Sequence, residues 1–407
     1  MKRSSNKMDK RYVYSVLLFI AIILIGATLR SPISSVGPLV PFFTEELNIS
    51  NTMVGFMNTL PLVAFGLFSP FIPKISKKYG MEFTLMISMI VLTAGIWVRG
   101  VGDTNLLLFG TLLIGLAIAV GNVISPALIR SAFPSQVGLV TGFYSLSMNI
   151  VSALAAGASV SIAISPAFDW RFAMQVWMIF PILAVIVLFI RFPYEKSIRK
   201  KVFADITTEK GTSMWTNGFA WVITFYMGLQ SLIPYSLFAW LPAILVAQGF
   251  NESEAGWLVT VFQLGLLPVT FLAPIIASKM NDQRLIASLG GLFFFIGLFG
   301  IAFMPNSFII PALIFVGLGA GTTFSLAIMF FVLRTRTVED SYSLSGMAQS
   351  IGYLIAAAGP LFLGILSDYT GWTPPLIILM IAAIIIAILG LIAGRPVKIG
   401  NQKETNN

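Results

Sequence analysis

Hydrophobic positions along this chain gather into repeated runs of about 20–28 residues, the length a tilted membrane helix needs. Short polar stretches separate them. Twelve runs can be marked, at 13–42, 52–76, 83–101, 105–129, 137–163, 172–191, 215–247, 254–278, 285–303, 307–333, 341–366 and 373–394. The pattern predicts an all-α membrane protein with twelve transmembrane helices in two pseudo-symmetric six-helix bundles. Residues 1–12 read as a short, unstructured polar tail, 13–192 as the first bundle and 193–214 as a cytoplasmic linker. Residues 215–394 read as the second bundle and 395–407 as a C-terminal tail.

The second half repeats the first. Pro41, Gly55, Pro73 and Lys78 align with Pro242, Gly256, Pro274 and Lys279, each 201 positions on (242 − 41). LNISNTMVGF matches GFNESEAGWL, with Ser50 or Asn51 and Asn251 or Ser253 as N-cap candidates. Two halves with weak internal symmetry are the pattern of secondary transporters, whose site lies near the midplane between the repeats.

Composition agrees. The chain is 57% hydrophobic and 10% charged, too apolar for a soluble protein of 407 residues. No cleavable signal is read at the basic start. Cysteine and histidine are both absent, which excludes disulfides, thiol chemistry and the usual proton shuttle. The net charge of +9 suggests nucleic acid until its placement is followed. With the N-terminus inside, only Arg99 and Arg171 fall in outer segments and Arg30 falls within a run. The other Lys and Arg are cytoplasmic, so the basicity is a topology signal that also attracts anionic lipid.

Arg30 interrupts the first run, in Ala27–Leu39 (ATLRSPISSVGPL). An Arg at such depth costs at least ~2.5–3.5 kcal/mol on insertion scales and is a functional-site hypothesis by default. Pro32, Pro38 and Pro41 each remove a helical N–H, and a helix so broken belongs in packed protein or along a water-filled cavity. All sixteen Asp and Glu lie in tails, loops or run ends. No carboxylate is therefore placed to neutralise Arg30 from mid-run, and no acid is placed for proton coupling or for a cationic drug. The substrate is read as the counter-ion: an anion, or a molecule whose acceptor oxygens fit the guanidinium fork.

Neutral polar residues at depth are Asn58, Asn122, Tyr144, Asn149, Gln230 and Gln263. Ser345, Gln349 and Tyr353 stand four apart on one helix face. Each of these is interhelical glue or cavity lining. The Ser345–Gln349–Tyr353 stripe and Gln230 are the stronger cavity candidates. Tyr144, Tyr226, Tyr235 and Trp240 are candidates for an aromatic wall, and Trp240 also suits an interface anchor. Neither a P-loop, nor a G-x-G-x-x-G after a strand, nor a metal-ligand cluster is found.

LRSPISSVGPL (29–39), KKYGMEFTL (77–85), GNVISPALI (121–129), GLQSLIPYSLFAWLPAIL (228–245) and LSGMAQSIGYLIAAAGP (344–360) carry a resemblance. The chain resembles the major facilitator superfamily, and within it the cyanate/2-nitroimidazole transporter family, over nearly all of residues 20–395. The resemblance implies a twelve-helix alternating-access carrier of small molecules. It also implies a cytoplasmic gating latch at Lys77, Lys78 and Gly80. The superfamily's loop there reads G-x-x-x-D-R-x-G-R; this chain has PKISKKYGM, with Lys77 at the Asp position and Glu82 as a substitute partner.

The sequence reading is thus a transporter in a bacterial inner membrane, both termini cytoplasmic, and not an enzyme. Its expected substrate is a small cyanate- or carboxylate-like anion contacted by Arg30; the alternative is export of a neutral heterocycle such as a nitroimidazole. Expected partners are that substrate and membrane lipid, with no nucleic acid, no cofactor and no metal, and a monomeric state. The orientation is testable because the chain has no cysteine. A Ser197→Cys variant stays unlabelled by an impermeant maleimide added to intact cells and is labelled after permeabilisation; labelling from outside would reverse the topology.

Overall fold

The structure, a computed structural model, describes residues 2–49, 51–206 and 213–399. Among them are twelve helical segments long and apolar enough to cross a membrane. They are α1 (Val13–Leu39), α2 (Phe56–Tyr79), α3 (Met81–Gly100), α4 (Thr104–Ala132), α5 (Val137–Ala163) and α6 (Trp170–Pro193), then α7 (Gly218–Ala247), α8 (Glu254–Lys279), α9 (Arg284–Phe303), α10 (Asn306–Leu333), α11 (Val338–Thr370) and α12 (Thr373–Ala393). The chain is an integral, multi-pass, all-α membrane protein. Helices satisfy their own backbone groups, which hydrocarbon cannot. Large apolar side chains such as Phe189, Leu285 and Leu361 are about two-thirds exposed, as a lipid-facing surface requires.

Short polar punctuation sets the ends. Asp103 caps α4 by accepting from the amides of Asn105 and Leu106, and Asn217 caps α7 the same way. Asn251 and Glu254 form a reciprocal capping box at the start of α8, so Asn251 is the cap of the Asn251/Ser253 pair. In the first half Asn51 already lies within a helix, and Ser50 is outside the described residues. Two boundaries differ from the sequence reading. The helix of α1 begins at Lys2 rather than near Val13, since no Gly or Pro interrupts residues 2–12. The helix of α6 runs on to Ile206, through the start of the expected linker; residues 207–212 are outside the described residues.

The chain divides into two compact units: residues 1–135 with 143–211, and residues 136–142 with 212–407. In the first unit α3 packs on α4, α2 on α4, α3 on α6 and α1 on α6. In the second, α9 packs on α10, α8 on α10, α9 on α12 and α7 on α12. The same four pairings recur after a shift of six helices, which is the 201-residue repeat expressed as packing.

Each unit also places a buried arginine near the ends of its helices. Arg191 meets Glu82 through Nε at 2.6 Å and Nη2 at 2.8 Å and also donates to the Tyr14 carbonyl, so it joins α6, α3 and α1. Arg334, just past α10, donates to the carbonyls of Ala393 and Gly394 at 2.8 Å and to the Gln283 amide oxygen. Burial lowers its pKa to about 10, so it remains a cation at neutral pH. Both arginines were counted from the sequence as cytoplasmic loop charges; packing uses them as fasteners. Gly80 joins α2 to α3 with φ 94°, ψ 152°, a conformation that side chains with a Cβ avoid. Lys77 and Lys78 are exposed in the last turn before it, while Glu82 is committed to Arg191.

The Glu82–Arg191 pair yields a stability prediction. Removing one partner of a buried ion pair costs about 3–5 kcal/mol, whereas replacing both with apolar groups is often neutral. Glu82→Gln and Arg191→Met should each lower denaturant stability in detergent, and the double variant should recover much of the loss. Strictly additive losses would show that the pair is not coupled.

Candidate functional site

The broken first helix is built from backbone accounting. The α1 helix closes at Thr28; a turn follows at Ser31–Ser34, then a 3-10 segment at Gly37–Leu39 and a further helix at Val40–Leu47. Pro32 brings no N–H, and the chain responds by tightening. Leu29 N bonds Gly26 O at 3.1 Å, and Ile33 N and Ser34 N both turn to Arg30 O. Hydroxyls serve carbonyls beside the break: Thr28 Oγ1 donates to Ile25 O at 2.7 Å and Ser31 Oγ to Ala27 O at 2.9 Å. These bonds let the chain leave helical geometry inside an apolar span.

Arg30 stands at the head of the Ser31–Ser34 turn, half-buried. Its Nη1 donates to Asn149 Oδ1 on α5 at 2.9 Å, and the Asn149 amide donates onward to Ser145 O at 2.8 Å. The amide orients the guanidinium without neutralising it. Ser34 and Ser152 share a hydroxyl bond of 2.5 Å one turn away. Below the break α1 and α5 lie so close that a Cβ on Gly26 would sit 2.7 Å from Tyr144 O and 2.6 Å from Ser147 Oγ. Tyr144 is fully buried in this contact, and Ser147 donates to Ile23 O. Asn122, on α4, is half-buried in the same unit.

The C-terminal part of the broken helix is held separately. Glu46 accepts from Trp170 Nε1 at 2.6 Å and pairs with Arg171 at 2.7 Å, while the Arg171 guanidinium lies 4.3 Å above the Trp170 ring. Phe43 packs on the same indole within an apolar cluster that includes Val36, Leu39 and Leu107.

In the second unit the α11 stripe is real. Gln349 Nε2 donates to Ser345 Oγ at 2.8 Å, and Tyr353 meets Tyr235 edge-on at 6.4 Å. The Gln230 amide donates to Met227 O and Ser231 Oγ within its own helix and is 1% exposed. Tyr226 is buried against Phe330 and directs its hydroxyl at Ala287 O. Trp240 donates to Pro360 O at 2.7 Å and packs on Trp372. Gln263 is half-buried on α8, and Asn58 is exposed.

Arg99, read from the sequence as an outer charge, lies in the last turn of α3, 1% exposed, and donates to Pro32 O at 2.7 Å. A signal existed: an arginine on the side the positive-inside rule leaves poor in charge needs a local reason to be there.

Among the described residues, no group of His, Cys, Asp and Glu is arranged to hold a metal. Twelve spans in two matching sets, one of them broken at a cation, define a membrane transporter of small molecules. The chain belongs to the Major Facilitator Superfamily, whose sequence profile matches residues 16–357 and 247–407. It is 38% identical over 398 residues to an uncharacterized transporter, YycB, of Bacillus subtilis, covering 97% of this chain and 98% of that one. It is 36% identical to the 2-nitroimidazole transporter of Escherichia coli, over 94% of this chain and 97% of that one. It is 26% identical to the cyanate transport protein CynX of the same organism, over 87% and 91%. These relatives agree with the narrower resemblance to the cyanate/2-nitroimidazole transporter family. The fold is similar to that of the proton:xylose symporter XylE bound to 6-bromo-6-deoxy-D-glucose, with a TM-score of 0.74, 14% identity and 94% of each chain covered.

The Glu46 cluster generates a pH prediction. Bonds from Trp170 first, then Arg171, hold its carboxyl below the ordinary 4.5. A depressed carboxylate contributes stability above its unfolded pKa and loses it as pH falls through the folded value. Because Glu46 is half exposed, the contribution is small, under about 1 kcal/mol. Unfolding temperature in detergent should therefore drop slightly more below pH 4.5 in the wild type than in Glu46→Gln; equal slopes would remove Glu46 from the acid response.

Proposed function

We propose that this protein carries a small anion of cyanate or carboxylate type across the membrane by alternating access, with Arg30 as the principal substrate contact. One observation carries the reading: at the break of an apolar span a guanidinium donates to the neutral amide of Asn149. A charge in that position is stabilised by a partner that brings the opposite charge, and Arg presents two parallel donors to a planar group with two oxygens. The Ser345, Gln349 and Tyr353 stripe is proposed as a further substrate contact. Gly80, with Lys77 and Lys78, is proposed as a turn that flexes during gating. The setting is proposed as a bacterial plasma membrane with both termini cytoplasmic.

A second reading has its own support. The relative at 36% identity is named for 2-nitroimidazole. A nitro group, like a carboxylate, is planar with two acceptor oxygens, so the same fork suits a neutral heterocycle.

Binding to purified protein separates the readings, with cyanate, benzoate and 2-nitroimidazole as probes. Arg30→Ala should fold and insert, since it removes an insertion cost, and should lose probe binding. Arg30→Lys should fail nearly as badly, because the ammonium lacks the fork. Asn149→Asp places a carboxylate on the guanidinium. It should weaken the anions about tenfold or more, the cost of ~1.4 kcal/mol of competing charge, while 2-nitroimidazole suffers less. Unchanged binding in Arg30→Ala would remove Arg30 from the site.

A further inference from the structure

Arg99 is an expensive way to make one hydrogen bond. Its Nη1 serves the Pro32 carbonyl, while among the described residues Nε and Nη2 have no acceptor. No carboxylate pairs with it among the described residues. A buried, uncompensated cation with open donors is strongly unfavourable. A carbonyl can be reached by a neutral side-chain donor instead, as at Pro360, where the Trp240 indole donates at 2.7 Å.

The place of that one bond explains its retention. In a regular helix Pro32 O would accept from Val36 N, but that amide bonds Ile33 O at 3.2 Å. Apart from a long contact of 3.4 Å from Ser35 Oγ, Arg99 is what holds the carbonyl. The Ser31–Ser34 turn is thus pinned from α3 at Pro32 and from α5 at Ser34. Arg30 immediately precedes this turn and is two residues from Pro32.

We propose that Arg99 is a positioning residue for the substrate site: by holding the Pro32 carbonyl it fixes the direction in which the helix break presents Arg30. The inference rests on the reading of Arg30 as the substrate contact. Arg99 itself touches no substrate. It sets the geometry of the residue that does, and its charge and open donors are a stability cost carried for that purpose.

Arg99→Met and Arg99→Lys test this in the cysteine-free chain, with three readouts. They are unfolding temperature, binding of cyanate, benzoate and 2-nitroimidazole, and the alkylation rate of a Ser34→Cys reporter in the pinned turn. Arg99→Met should unfold at the same or a higher temperature, since it removes a buried cation. Its probe affinity should fall about tenfold, the size expected of a residue acting on a site without touching ligand. Its reporter should be alkylated several-fold faster, as a loosened turn requires. Arg99→Lys, still able to donate to the carbonyl, should recover part of the affinity and of the reporter protection.

A merely structural Arg99 predicts the reverse: a lower unfolding temperature in Arg99→Met, with affinity and reporter rate unchanged. That result overturns the proposal. If Arg30→Ala abolishes binding while Arg99→Met leaves affinity and reporter alone, only the positioning role falls. If Arg30→Ala binds normally while Arg99→Met frees the reporter, the clamp stands and the substrate reading of Arg30 falls.

Discussion

A missing N–H at Pro32 organises the first unit. Without it the carbonyls around the break lose regular partners, and an apolar interior offers no water to replace them. The chain supplies replacements one at a time: hydroxyls of Thr28 and Ser31, a tightened bond at Leu29, and the Arg99 guanidinium at Pro32. Each is a local answer, and together they hold a length of chain that is not helical at the point where Arg30 leaves it. The break therefore belongs to the architecture, and the position of Arg30 follows from it.

Buried arginine is the second theme. Arg191, Arg334, Arg30 and Arg99 are drawn into the protein, each with a different solution. Arg191 takes a carboxylate in bidentate fashion, and Arg334 takes two main-chain carbonyls and an amide. Arg30 takes a side-chain amide and Arg99 a single carbonyl. Arg191 and Arg334 tie helices together near their ends, where stability is the evident role. The other two flank the helix break, where a protein serving stability alone would have used neutral donors.

Neutral polar residues divide along a similar line. Gln230 and Trp240 donate to nearby backbone and side-chain acceptors. Ser345, Gln349 and Tyr353 keep the shared face that their spacing of four promised. The difference is physical. A one-face stripe follows from helix geometry alone, whereas the fate of a single amide depends on which acceptor happens to be nearest.

The sequence by itself determined the number of the spans, the repeat and the break at Arg30–Pro32. Each of these follows from local chemistry: run length against bilayer thickness, recurring residue spacing, a proline's missing N–H. Only the tertiary structure decided that Arg99 is buried, that Arg191 and Arg334 are fasteners, and that Asn149 orients Arg30. These are contacts between residues 51 to 177 positions apart on different elements, and sequence spacing carries no term for which helix faces meet. Charge shows this most plainly, because the same arginine reads as a loop residue from its neighbours in sequence and as a core residue from its neighbours in space.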